Sequence, residues 1–422
     1  MKLFRKISFA FAFTFTVSNI SNISLWAFSD GSGTAADPYQ IKNKADMELL
    51  ADSVNNGKNW SRNKYFKVMN DITDTVRTVI GINIYSSYDQ SFQGHFDGNG
   101  FKIVLGIDNP PKNGGNIGLF GNVANWNNIS ISNVIIEGYI KSNADMIGGI
   151  AGNCGLNING VDGIRTVVII KNCINNCDIT GMQNINSLVG GMVGQSTNAD
   201  SIKIENCINN GKISANASAG GMAIAGGMIG NGTEVTNCIN TGVIFSTNIA
   251  GGILGYSSRP AYKPFVSNCI NAGFIVGNQG VGGIIGNANI DVKNCINTGV
   301  VKGNTNVGGI IGSVGYSTII SNCYYDKQMC VYGGINNADA NGQAEGYLTK
   351  ELIGNNLQSK LGTVDWTYKN NLYPTLKVLE NATVAMVAAS PAYLCAIDIN
   401  DYDKHNNIRH HFEVSTANNV NW

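Results

Sequence analysis

One tetrapeptide, Asn-Cys-Ile-Asn, recurs through the middle of the chain at a nearly constant spacing. It stands at Asn172–Asn175, Asn206–Asn209, Asn237–Asn240, Asn268–Asn271 and Asn294–Asn297, and an altered copy reads Asn322-Cys323-Tyr324-Tyr325. A Gly-Gly-x-x-Gly motif alternates with it, at Gly148–Gly152, Gly190–Gly194, Gly226–Gly230, Gly251–Gly255, Gly282–Gly286 and Gly308–Gly312. Self-similarity at this period means a stack of equivalent units, each contacting only its neighbours. The cysteine steps are 34, 31, 31, 26 and 28 residues. Each unit is long enough for three short strands and three turns, one rung of a coil.

Aligned on the cysteine, the repeats resolve into columns. Three residues before it stand Ile170, Ile204, Val235, Val266, Val292 and Ile320; two before it the residues are Lys171, Glu205, Thr236, Ser267, Lys293 and Ser321. Ile follows the cysteine in every copy but the last, and Ile179, Ile213, Ile244, Ile275 and Val301 come six residues after it. We read the apolar columns, including the Ile after each Cys, as core-facing and the polar column as solvent-facing, at strand spacing. Rungs stacked about 4.8 Å apart then set each column in register. The outcome is an all-β parallel β-helix with internal ladders at Cys173, Cys207, Cys238, Cys269, Cys295 and Cys323. The Asn before each of these (Asn172, Asn206, Asn237, Asn268, Asn294 and Asn322) is expected to hydrogen-bond along its own ladder at a bend. Gly211, Gly242, Gly273 and Gly299, four after the Cys, call for a positive φ or close backbone packing; the first copy has Cys177 there.

The flanks read as follows. Lys2, Arg5 and Lys6 precede the apolar run Ile7–Val17, with small residues up to Ala27-Phe28-Ser29. That is a signal peptide over 1–29, too short to span a bilayer, and it gives a secreted or cell-surface product. No Cys follows the run to carry a lipid. Residues 30–112 form an N-terminal cap and first rungs. In them Asn43 caps an amphipathic helix through Met47, Leu50, Ala51 and Val54, and Tyr65–Asn70 and Phe92–Ile103 are strands. Asp97 and Asn99 are read as turn residues rather than calcium ligands. The repeats fill 113–331 and begin with a degenerate copy, Ile117–Gly121 with Asn133–Ile135. Residues 332–380 are a C-terminal cap, with a helix over Thr349–Leu361 followed by Trp366, Tyr368 and Tyr373-Pro374, closing the other end of the core. Beyond Asn381 alternating apolar residues suggest a partial β-sandwich-like segment, too short to bury a core of its own.

Composition excludes several functions. Lys+Arg 28 balances Asp+Glu 28, so there is no basic footprint for nucleic acid. No later stretch is long and apolar enough for a membrane helix. The ten cysteines of an exported chain would ordinarily suggest disulfides. In-register side chains pointing the same way fit the required dihedral poorly, so stacked free thiols are expected; Cys173 with Cys177, or Cys154 with a neighbour, would be the best-placed bridges. The spacing does not converge four ligands for zinc, no cofactor is called for, and the repeats gather no acidic patch for carbohydrate cleavage. The tail Asp401-Tyr402-Asp403-Lys404-His405 with His410 and His411 is read as solvated chain rather than a metal site.

Insertions at Asn153–Thr166, Gln195–Ser201, Tyr256–Phe265 and Ser218–Gly227 are expected on one flank, where solenoids often bind. The Tyr256–Phe265 insertion gathers Tyr256, Arg259, Tyr262, Lys263 and Phe265, either a sugar-stacking cluster or a loop packed by its own aromatics.

These features together resemble the GLUG-motif repeat proteins of bacterial cell surfaces. The match runs from Gly33–Ile41 through Phe92–Gly100 and Gly118–Gly121, then the Gly-Gly-Ile-x-Gly and Asn-Cys-x-Asn pairs, to Leu372–Lys377. The resemblance implies a right-handed parallel β-helix (solenoid) with short helical caps at both ends, in a secreted or surface-attached protein with an adhesin-like role. A glycan or a host or bacterial surface protein would be the partner of a monomer without catalysis. A polysaccharide lyase or hydrolase on the same scaffold, and a passive spacer, are the alternatives. Family metalloproteases carry His-Glu-x-x-His, which this chain lacks, and no surface anchor is visible.

Overall fold

The computed structural model describes residues 28, 30–82, 90–108, 115–124, 128–155, 167–196, 201–232, 234–257, 264–315 and 318–380. The signal-peptide reading (Phe28 apart), Arg259, Tyr262, Lys263 and everything after Glu380 lie outside these residues.

The chain winds as a parallel β-helix. Ten parallel strands make the first sheet, running from Tyr39–Ile41, Tyr65–Val68, His95–Asp97 and Ile129–Ser132 up to Ile320–Ser321. Seven make the third, from Phe120–Val123 to Ile311–Val314. The second, between them in each turn, runs from Ile72–Val76 to Ala344–Tyr347 and is broken by bends into short pieces. Register is column on column: Val235 pairs Ile204 and Val266, Ile239 pairs Ile208 and Ile270, and Gly251 pairs Gly226 and Gly282.

The two asparagines of the tetrapeptide act differently. The one before each Cys adopts φ between 50° and 55°, as do Asn133 and its successors Asn172, Asn206, Asn237, Asn268, Asn294 and Asn322. Asn tolerates this left-handed bend better than other side-bearing residues. In every Asn-Cys copy but Asn268 its amide then donates to the Asn one rung below, as from Asn172 to Asn133 (3.0 Å) and from Asn206 to Asn172 (3.2 Å). The second Asn was not singled out by sequence, yet it is the buried one. Asn175, Asn209, Asn240, Asn271 and Asn297 are fully inaccessible, and each of the first four passes Nδ2–H to the next Oδ1 over 2.6–2.8 Å. All five also donate to the carbonyl two residues on.

This buried ladder explains why the two motifs alternate. A Cβ on Gly227 would meet the Asn240 amide at 2.9 Å, and one on Gly252 the Asn271 amide at 2.5 Å. In the four middle copies the second Gly (Gly191, Gly227, Gly252 and Gly283) is therefore small to admit the facing amide as well as the carbonyl of the next rung's glycine. Gly242, Gly273 and Gly299 are small for close packing, not positive φ, since a Cβ on each would lie 2.0 Å from the carbonyl oxygen of the glycine below.

All six ladder cysteines are buried, and the nine cysteines described are unbridged, Cys154 and Cys177 included. The six ladder thiols donate to carbonyls two residues back, as from Cys238 to Thr236 (3.1 Å). Burial pushes the Cys173, Cys238, Cys295 and Cys323 thiols well above their ordinary range.

Three expectations are corrected. The Ile after each Cys does not enter the core. Adjacent strand residues face opposite ways, so with Cys inside, Ile208, Ile239, Ile270 and Ile296 form a separate outer cluster with Leu352, Leu357, Trp366, Tyr373, Leu376 and Leu379. The segment 349–379 accordingly lies along the outside of the solenoid as a strap and does not plug its end. It contains two single helical turns, Thr349–Leu352 and Gln358–Leu361, in place of one continuous helix. The core's end is closed instead by Tyr325, Cys330 and Ala344. Finally, the glycine-rich stretch Ser218–Gly227 is no loop after a Gly-Gly-x-x-Gly strand: most of it continues the long strand Ile213–Gly226.

At the opposite end the helix Lys44–Asn56 starts at Asn43, whose side chain accepts from the Asp46 N–H, and buries Met47, Leu50, Ala51 and Val54 in the core. Phe66, Phe92, Phe96 and Phe120 fill the first rungs behind it.

Candidate functional site

The outer face of the first sheet carries a trough of about 520 Å³ at its N-terminal end. Its floor follows from register. Tyr65 pairs His95, which pairs Ser130; one column along, Gln40 pairs Lys67, which pairs Asp97, which pairs Ser132. The intervening Phe66, Phe96 and Ile131 are buried in the core, so alternation turns both columns outward. Apolar residues thus anchor a rigid floor of polar and aromatic side chains.

Two rings dominate it. Tyr65 and His95 stack with centroids 4.4 Å apart and planes inclined by 15°. His95 Nδ1 lies 2.9 Å from Ser130 Oγ, and burial holds the imidazole below its ordinary pKa. The ring is therefore neutral at neutral pH, with Nε2 left for another partner. Among the described residues the Tyr65 hydroxyl, the Lys67 ammonium and the Gln40 amide have no hydrogen-bond or ion-pair partner.

The carboxylates nearby serve the backbone. Asp97 Oδ1 accepts from the Asn99 N–H and from Asn133 Nδ2, both at 2.8 Å. This makes the turn that sequence suggested. Asp37 accepts from the Ser32 N–H at 2.9 Å, and the Asp37 N–H donates to Thr34 Oγ1 at 3.2 Å. Those bonds stiffen the loop whose Ala35–Pro38 stretch walls one end of the trough. Gly33 must be glycine there, with φ of 76° and the Tyr39 ring 2.3 Å from where a Cβ would sit.

Of the residues singled out from the Tyr256–Phe265 insertion, Tyr256 and Phe265 are the two that lie among the described residues. Tyr256 ends the third-sheet strand Leu254–Tyr256, in register with Asn231 and Asn287. Phe265 opens the first-sheet strand Phe265–Ser267, and Lys293 Nζ sits 5.0 Å from its ring centroid. The trough residues were missed because the first rungs lack the Asn-Cys marker. The usable signal was the alternation Tyr65-Phe66-Lys67, His95-Phe96-Asp97 and Ser130-Ile131-Ser132, aligned on its buried middle residue. No group of three or more His, Cys, Asp or Glu among the described residues could hold a metal, and no described helix is long and apolar enough to cross a membrane.

No family model matches this chain, and no curated protein does. Among solved structures it is similar to a Bacteroides ovatus protein provisionally named an immunoglobulin A1 protease, determined at 1.30 Å. The two share 21% sequence identity with a TM-score of 0.50, over 83% of this chain and 95% of that one. Likeness at this identity bears on the fold alone.

Proposed function

We propose that this protein is an exported, GLUG-type solenoid that acts at the cell surface as an adhesin-like, non-catalytic binding module for glycans. The trough carries the reading. A rigid concave face with paired rings and unpartnered hydroxyl, amide and ammonium groups suits a ligand that offers both apolar patches and hydroxyls. A strand-adding peptide is a poorer fit, because the strands that carry Tyr65, His95 and Ser130 already pair on both sides and, of the floor strands, only Tyr39–Ile41 ends the sheet.

Catalysis has less support. Glycosidic cleavage needs two carboxylates set across one bond, whereas Asp37 and Asp97 brace turns. Proteolysis, which the Bacteroides neighbour's name suggests for that protein, would need more than a Ser130–His95 contact. A nucleophilic serine also calls for an acid orienting the far imidazole nitrogen and for donors to an oxyanion. A passive spacer would not need the trough.

The test is to pass the purified protein over arrays of bacterial and host glycans and of host matrix proteins, scoring by mass spectrometry what stays bound and what is cut. Retention of a glycan without cleavage, lost in Tyr65→Ala, is expected. Cleavage products would sink the non-catalytic reading, and retention of nothing would favour the spacer. Retention that survives Tyr65→Ala would move the site to another face, the Tyr256–Phe265 region first.

A further inference from the structure

We infer that the trough takes a single neutral pyranose, held on the Tyr65–His95 pair and hydrogen-bonded by Lys67, Gln40 and His95 Nε2. This rests on the glycan-binding reading above and names the ligand class within it. Three observations carry it.

The first is the platform. Tyr65 and His95 cover each other's inner faces, which fixes both rings and leaves an outer ring face and polar rims to meet the C–H face and hydroxyl edge of a sugar ring. The second is the donor and acceptor set. Lys67 supplies donors only, Gln40 both donors and an acceptor, and the Tyr65 hydroxyl either role; vicinal hydroxyls can satisfy such a mixture, whereas a purely apolar ligand would leave it stranded. Asp97 has one oxygen occupied by Asn99 and Asn133 and one for a hydroxyl. The third is charge. One ammonium, Lys67, faces two carboxylates, Asp37 and Asp97, around the trough. A carboxylated or sulfated sugar would meet repulsion from both, so the neutral ring is preferred.

The closed end sets the mode of binding. The hydrogen-bonded loop ending at Pro38 blocks the trough on one side, while Ser130 and Ser132 leave it open along the sheet. The pyranose is thus read at the end of a chain whose remainder runs over the following rungs.

The experiment is an NMR titration of the whole protein, following the His95 imidazole signals, assigned with His95→Gln. The probes are the methyl glycosides of glucose, galactose, mannose and N-acetylglucosamine, with methyl glucuronide and N-acetylneuraminic acid as anionic comparators. A saturable shift is expected with at least one neutral glycoside and weaker responses with the anionic pair. Tyr65→Phe should keep the shift, Tyr65→Ala should abolish it, and Lys67→Met should weaken affinity about tenfold, the scale of one charge-assisted hydrogen bond. Unchanged circular dichroism in the three variants separates lost binding from lost folding. No shift with any neutral glycoside, or a shift that survives Tyr65→Ala, overturns the inference. If the arrays then still show Tyr65-dependent retention, only the ligand class falls; if they show none, the binding reading falls with it.

Discussion

At the scale of single residues, the two asparagines of the repeat should answer differently to the same substitution. Asn240 is fully buried, donates to Asn271 Oδ1 and Gly242 O, and accepts from Asn209. Asn240→Ala strands partners on both sides, at about 1–3 kcal/mol for each group left unsatisfied, and Asn240→Gly restores nothing. Asn206 bends the chain at φ 54° and makes exposed ladder bonds. Asn206→Ala should therefore cost about 1–2 kcal/mol, mostly from the left-handed backbone, and Asn206→Gly should recover most of it. Urea midpoints of the four variants check this, and an Asn240→Gly as mild as Asn206→Gly would refute it. His95 gives a second prediction. Burial places its folded pKa below the ordinary 6.5, so between those two values the unfolded chain binds more proton and stability falls as pH drops. Above 6.5 both states are neutral and pH has no leverage through this group. An imidazole titration with its midpoint at or above 6.5 would contradict the burial argument.

The strap is the element whose role sequence concealed, and it shows where legibility ended. Repeat spacing made the coil, its columns and its cysteine ladder readable, because equivalent residues must stack. It could not tell an inward apolar column from an outward one that some distant segment covers. The Ile column is such a case, and the covering residues lie from 56 (Ile296 to Leu352) to 171 (Ile208 to Leu379) positions downstream. Asp365, 97 residues from Asn268, accepts from that Asn's Nδ2 at 3.1 Å, while Asn237 Oδ1 is left buried without a partner. Likewise the trough depends on the register of rungs that carry no marker. The strap's grip is mainly apolar. Trp366→Ala should remove about 3–5 kcal/mol of docking and make 349–379 susceptible to limited proteolysis while the repeats stay protected. A second fastening is Asp326, fully buried and accepting from Tyr373 Oη (2.6 Å), Thr349 Oγ1 (2.5 Å) and the Gln328 N–H (2.8 Å). Tyr373→Phe should loosen the strap by about 1–3 kcal/mol. Asp365→Ala should do little, since Asn268 can return to Asn237. Equal proteolysis of the Trp366 and Asp365 variants would mean the polar contact, not the apolar one, holds the strap.

For the whole molecule, the ladders make the interior one continuous column closed at both ends, by the Lys44–Asn56 helix and by Tyr325 with its neighbours. Each rung is stabilised by the rung on either side, so opening the middle requires separating two fully paired interfaces. The cysteines report on this. The nine described are all buried, and none is bridged. Burial also raises the thiols of Cys173, Cys238, Cys295 and Cys323, which removes the thiolate that reagents and oxidants attack. The described thiols would then stay reduced by exclusion from solvent. With a thiol-reactive disulfide reagent at pH 8, the native protein should release no more than one fast equivalent, from Cys395 outside the described rungs, and all ten should react in denaturant. Digestion after partial labelling should show Cys238 and Cys269, flanked by intact rungs, modified last, with Cys330 at the closed end modified earlier. Simultaneous labelling of all ladder positions would instead mean that the coil opens as a single unit, and that neighbouring rungs do not set its local stability.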